Sequence, residues 1–196
     1  DQFFVERYLY ERCCMVEAKV SIEGYEPFYA VCTHTSAFST DNTKHQHLIE
    51  FKQKLDDLKS KEGYVVVGGG DLNEIPPGSD TTDYCIQNAC EGYVYHKEGK
   101  EPFHKEGMNY TPEQDWLTPL YSSYNPVIPL TTYQQDQYHN FTHSSRPTHF
   151  WDRTLDYMFS NATWITSSGK VHQDCAGLSD HTPVSGLLSI KKTNNH

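Results

Sequence analysis

The stretch "YVVVGGGDLNEIPPGSD", residues 64–80, decides how the rest of the chain is read. Tyr64 to Val67 form an apolar, β-branched run of the kind that builds a buried strand. Three glycines follow, and the run ends on Asp71-Leu72-Asn73. Gly, Asp and Asn are ordinary turn residues, so the segment alone is explained by a strand that stops. The alternative is that the strand delivers a carboxylate and a carboxamide to a site at its carboxyl end. On extended backbone, residues two apart face the same side, which would present Asp71 and Asn73 together. Glycines 68–70 would then let the backbone approach that site without a Cβ in the way.

Working upstream, "STDNTKHQHLIEFKQKLDDLKSKEG" places Leu48, Phe51, Leu55 and Leu58 at intervals of three and four, which predicts a helix. Asn42 or Thr43 offers its N-cap and Gly63 its stop. Before it, "CCMVEAKVSI" and "PFYAVCTHT" read as the two strands of a hairpin around "EGYE". Strand, helix, strand in this order implies neighbouring strands in one sheet with the helix packed on its face. Downstream, a short helix is expected around "TTDYCIQNAC". Residues 96–140 read as a long irregular excursion with one short helix near "DWLTPLYSSY". Its Trp116, Tyr121, Tyr124 and Tyr133 are expected to pack it down rather than line a ligand. Three strands follow, in "RTLDYMFSN", "TWITSSGKVHQ" and "TPVSGLLSI". The fold class is mixed α/β, in one domain.

Composition narrows function only a little. The net charge of -10 counts against non-specific binding to phosphate backbones, which needs clustered Lys and Arg. It leaves room for an acidic enzyme that meets phosphates through a bound cation. No apolar run approaches the ~20 residues that span a bilayer. The six cysteines form no C-x-x-C pair, which argues against a structural zinc site. Cys32 reads as a small core residue, and Cys85 and Cys90 as either a bridge or two thiols. Sequons at Asn109, Asn140 and Asn161 favour a secreted or periplasmic location over a cytoplasmic one.

Four segments end in polar residues in turn: "CTHT" (32–35), "GGDLN" (69–73), "DRTLDYMF" (152–159) and "LSDHTPV" (178–184). This set, in this order, resembles the endonuclease/exonuclease/phosphatase superfamily with its DNase I-like fold, and the resemblance covers residues 12–190. It implies two packed, mostly antiparallel sheets flanked by helices in a four-layer sandwich. It also implies that residues 1–196 hold only the later part of that domain. Members open with further strands and helices that supply an Asn and a metal-binding Glu, and nothing before Arg12 matches them. The expectation is an incomplete domain: either its opening portion is a separate piece, or the chain is a remnant that lacks half its metal site. The excursion and its "PPGSDTTDYC" look most like bacterial members, many of them exported.

The resemblance implies a phosphoric-ester hydrolase dependent on Mg²⁺, with Mn²⁺ or Ca²⁺ as substitutes. By it, His181 is the base that activates water, and its carboxylate partner is Asp156, with Asp152 in "WDR" as the alternative. Asp180 is the metal ligand, and Asp71 holds either water or a second coordination position. Asp180 and His181, being adjacent, are expected to point in opposite directions. His34 and Asn73 would touch the scissile phosphate, and His143 and Arg146 lie near positions where relatives touch substrate. The remaining histidines read as surface or loop residues. The substrate stays open among nucleic acid, a phospholipid such as sphingomyelin, a phosphoinositide and a small diester. The reading from a different class is a non-catalytic binding or structural protein that retained the fold.

Overall fold

A computed structural model describes residues 14–37, 42–61, 63–79, 115–144, 153–175 and 178–193. The hairpin is present: β1 (Met15–Val20) pairs antiparallel with β2 (Phe28–His34). Helix α1 (Thr43–Ser60) follows with Asn42 at its N-cap, and Lys61 and Gly63 (φ 69°) take the chain out of it. The glycine strand β3 (Val65–Asp71) then pairs parallel with β2, as a strand–helix–strand unit requires.

The excursion is more ordered than its composition suggested. Within it lie α2 (Thr118–Ser123), a two-residue strand β4 (Asn125–Pro126), α3 (Leu130–Gln135) and a 3₁₀ turn at Tyr138–Asn140. Pro119 in the first turn of α2 and Pro129 at the N-cap of α3 start these helices, so the prolines set boundaries here. Strand β5 (Asp156–Ser160) pairs antiparallel with both β3 and β4, giving one mixed sheet in the order β1-β2-β3-β5-β4. Tyr124 and Tyr133 are buried, and Trp116 and Tyr121 pack against the core, as their expected structural role demands.

The two strands expected after residue 160 shrink to β6 (Lys170–Val171) and β7 (Val184–Ser185), a small antiparallel pair. Beyond them Trp164 and Leu188 meet in a single bridge. In between, Ser167 adopts a left-handed φ of 59°, and the Ser168 hydroxyl accepts from the Leu187 amide at 3.0 Å. A side chain thus replaces the ladder that alternation in the sequence had suggested.

Helix α1 lies on one face of the large sheet. Phe51 and Leu55 are fully buried there with Leu48, Leu58, Val31, Val66, Tyr157 and Phe159. Each such apolar side chain contributes roughly 1.5–3 kcal/mol. Val31 and Thr33 point into this core, so Cys32 between them faces outward and is exposed. Its expected place in the core is therefore corrected by strand alternation. Cys14, Cys32 and Cys175 are free thiols. Met158 alternates to the opposite face and lines a small cavity with Val171 and Val184 of the small sheet.

Close packing explains the glycines better than approach to a site does. A Cβ on Gly68 would sit 2.6 Å from Leu55 Cδ2, so the bare backbone is where α1 comes nearest to the sheet. Gly70 has φ 133°, and a Cβ there would lie 1.9 Å from the Thr33 carbonyl oxygen. The glycines admit a helix and a neighbouring strand, and the polar residues come after them. The Asn161 carboxamide bridges the Tyr64 and Val66 backbones, so the nitrogen a glycan would occupy is already engaged with the Tyr64 carbonyl. Asn109, Cys85, Cys90, Asp152, Arg146 and the helix expected over residues 81–90 lie outside the described residues. No helix among the described residues is long and apolar enough to cross a membrane.

Candidate active site

Register assembles the site. His34 at the end of β2 pairs with Asp71 at the end of β3, and Asp71 pairs in turn with Asp156 at the start of β5. Three side chains separated by 122 residues of sequence (156 − 34) thus share one rung at one edge of the sheet. His181 joins from the segment before β7. A bridge from His143 to His181 on one side and to Arg153 on the other holds that segment in place.

The geometry around His181 is directional. Its Nδ1 lies 2.8 Å from Asp156 Oδ2, and its Nε2 lies 3.7 Å from Asp71 Oδ2. The hydrogen bond to Asp156 raises the His181 pKa above its ordinary value against the opposing effect of burial, with further help from the Asp156 and Asp71 charges. Asp71 is shifted up chiefly by burial; the hydrogen bond from the Asn73 amide opposes the shift and the nearby Asp156 charge adds to it. His34 Nε2 stands 3.4 Å from Asp71 Oδ2 with its ring largely exposed. Asp71 is therefore flanked by two imidazoles, and one of them is open to solvent.

Asn73 departs from expectation. It has a left-handed φ of 47°, so the two-apart rule for extended backbone does not apply to it. Asp71 Oδ1 accepts from the Asn73 amide at 2.9 Å, and Asn73 Nδ2 donates to the Thr35 carbonyl at 2.9 Å. The pair forms a side-chain-capped turn rather than two parallel arms. One N–H of the carboxamide is committed to the protein and the other remains for a ligand.

Asp180 also corrects a prediction. It sits in a bend, and one of its oxygens lies within 4.8 Å of ligand atoms of both His143 and His181, so the neighbours converge instead of diverging. Burial would raise its pKa, but its own backbone amide and the Ser179 hydroxyl outweigh that and keep the carboxyl below 3.8. The His143 ring stacks edge-on against His181 at 4.7 Å. His139, expected at the surface, contacts Asp136 and Tyr138, and His172 contacts Ser185 and Asp174.

Four supporting residues escaped the sequence reading. Thr142, fully buried, accepts from the amides of Leu155 and Asp156 at 3.0 Å each and so fixes the backbone that carries Asp156. Thr35 ties its hydroxyl to the Leu72 carbonyl at 2.6 Å. Lys44 and Glu74 form a buried ion pair at 3.0 Å behind Asn73. A signal existed for Lys44, which occupies a position four before Leu48 on the apolar stripe of α1.

Two groups among the described residues could hold a metal: Asp71, Asp156 and His181, and His143, Asp180 and His181. Asp156 is engaged with the imidazole, so Asp71 is the freer oxygen donor of the first group and Asp180 is the oxygen donor of the second. Carboxylates of this kind, one of them held firmly ionised, suit a hard divalent cation. A sequence profile of the Endonuclease/Exonuclease/phosphatase family matches residues 3–181. This chain belongs to that family. No curated protein matches it.

Solved structures are similar to this family member at the level of fold. The human nocturnin catalytic domain with bound sulfate shares 14% identity at a TM-score of 0.53, over 91% of this chain and 53% of that one. The Xenopus laevis APE2 catalytic domain shares 14% at 0.54, over 92% and 56%. An endonuclease/exonuclease/phosphatase from Beutenbergia cavernae shares 19% at 0.54, over 92% and 40%. The chain therefore spans about half the length of the first two and less of the third. The mixed α/β, DNase I-like architecture is the one these structures share with it.

Proposed function

We propose that this protein is a divalent-metal-dependent hydrolase of phosphoric esters in which His181 activates water. The observation that carries the reading is the Asp156–His181 hydrogen bond of 2.8 Å, with Nε2 of the same ring directed toward the rung that also holds Asp71 and His34. Family membership supports phosphoester chemistry in general.

Asp156 accepts from Nδ1–H of His181 and so leaves the Nε2 lone pair to take a proton from water. It also stabilises the imidazolium that results. Asp71, with its raised pKa, orients that water or shares its proton beside Nε2. His34, exposed at the rim, is placed to donate to a phosphate oxygen, and the uncommitted N–H of Asn73 can do the same. A Mg²⁺-class cation (Mg²⁺, Mn²⁺ or Ca²⁺), held by Asp180 on the His143 side or by Asp71 on the Asp156 side, would neutralise phosphate charge and steady the leaving oxygen. His143, edge-on to His181, would border the substrate on that side. Nucleic acid, phospholipid and phosphoinositide all present the required diester or monoester to this rung.

The test is hydrolysis of bis(p-nitrophenyl) phosphate and p-nitrophenyl phosphate with Mg²⁺, for the native protein and for His181→Ala. A base contributes about 10²–10⁴-fold, so the variant should lose that much in kcat while remaining folded. Equal turnover by both proteins would sink the assignment. Lack of turnover by both, with retained affinity for a phosphate analogue, would instead favour the binding-protein reading.

A further inference from the structure

We infer that Lys44 and Glu74 are positioning residues: a buried ion pair that clamps the left-handed turn at Asn73 and thereby aims Asp71 and Asn73 at the substrate. The catalytic half of this inference rests on the hydrolase reading above, and the structural half does not.

Neither residue is at the surface. Lys44 is 5% exposed and Glu74 3%. Lys44 Nζ lies 3.0 Å from Glu74 Oε2 and donates to the Asn73 carbonyl at 3.0 Å, while its ammonium sits 5.5 Å over the Trp116 ring. Glu74 Oε1 accepts from the Ile75 amide at 3.0 Å, and the Glu74 carbonyl accepts from the Tyr157 hydroxyl at 2.7 Å. Burial drives the Tyr157 pKa well above 10, so that hydroxyl stays protonated and able to donate. The next residue back is Asn73, whose amide and carboxamide are tied to Asp71 and Thr35. One turn is therefore gripped from the helix (Lys44), from β5 (Tyr157) and from the end of β2 (Thr35).

Desolvating an ammonium and a carboxylate costs several kcal/mol each, and apolar residues of the same volume commonly serve stability as well or better. Stability is thus a poor reason for this pair to sit under the core end of α1. Direction is a better one. An ammonium offers both donors and a charge, and here it donates to the Asn73 carbonyl while its charge pairs with Glu74 Oε2 at 3.0 Å. That carbonyl belongs to a residue at φ 47°, a left-handed conformation that a non-glycine residue holds where its surroundings enforce it. On the other side of the turn the Asn73 amide donates to Asp71 Oδ1 at 2.9 Å. Loosening the clamp would release Asn73 and let the Asp71 carboxylate rotate away from His181 Nε2. Packing against Leu48 and Phe51 would be untouched.

The discriminating protein is the double variant Lys44→Met/Glu74→Leu, which removes both charges and keeps the volume. Three readouts are needed: thermal melting, kcat and KM on bis(p-nitrophenyl) phosphate with Mg²⁺, and the backbone φ at Asn73 from NMR scalar couplings. A folded variant with KM within about threefold, kcat down about 10- to 100-fold and Asn73 shifted out of the left-handed region is the expected result. Unchanged kcat and unchanged φ would overturn it. Should the double variant fail to fold, Glu74→Gln replaces it, since it weakens only the hold on Lys44; kcat should then fall about fivefold with a shift at Asn73. No change in either quantity overturns the inference there too. A native protein that hydrolyses no phosphoester defeats the hydrolase reading alone, because the NMR comparison still decides whether the pair holds the turn.

Discussion

His181 is the residue to which the proposed chemistry assigns most, and its environment makes a measurable prediction. Asp156 holds its proton more tightly than water would, so its pKa stands above the ordinary 6.5. In the metal-free protein, NMR titration of Asp156→Asn should show the His181 ring moving back down toward that value. A ring that titrates identically in both proteins would mean the 2.8 Å contact does not stabilise the imidazolium. The same shift has a sign for stability. A basic group with a raised folded pKa contributes stability below its unfolded pKa and loses it as pH rises through the folded value. Asp71, raised above 3.8, works in the same direction, since the fold favours its protonated form. Native metal-free protein should therefore lose denaturation midpoint as pH rises through the raised His181 value. Asp156→Asn should flatten that dependence, and an equally steep variant would point to other groups.

At the scale of elements, β3 is where sequence and packing constrain each other most tightly. Gly70→Ala must place a Cβ against the Thr33 carbonyl, an atom fixed by the β2–β3 ladder, at a backbone φ that L-residues avoid. Overpacking and backbone strain each cost about 1–3 kcal/mol, so denaturant unfolding should show a loss of about 2–6 kcal/mol. Gly63→Ala is the control: its φ of 69° is also left-handed, but nothing lies within 4 Å of the added carbon. It should lose only about 1–2 kcal/mol. If the two variants prove equally stable, close approach is not what requires glycine at residue 70. The helix face was easily read because its apolar residues recur at helical spacing. Lys44 on that stripe was not, since a lysine's partner 30 residues away leaves no periodic mark.

For the molecule as a whole, charge and metal set the expected behaviour. A chain of net charge -10 repels polyanions unless a cation intervenes. Chelation with EDTA should abolish turnover and Mg²⁺ should restore it, with Mn²⁺ or Ca²⁺ restoring part. Turnover that persists in chelator would remove the metal from the proposal. Duplex DNA binding without metal should be weak and should lack the steep inverse salt dependence of a basic protein. A slope of several units in log affinity against log salt would reveal a cationic surface that the net charge hides.

The sequence alone determined the order of elements from the hairpin through α1 to β3, because apolar period and turn chemistry are local properties of neighbouring residues. It also named candidates for a site, since His34, Asp71, Asn73, Asp156, Asp180 and His181 all stand in short motifs. Tertiary structure decided how they meet. Strand register is set by pairing between residues far apart in the chain, so the shared rung of His34, Asp71 and Asp156 cannot be counted out from any one segment. The left-handed turn at Asn73, the outward face of Cys32 and the convergence of Asp180 with His181 were likewise decided by what packs or bonds against them. Local chemistry chose the residues, and long-range contacts chose their directions.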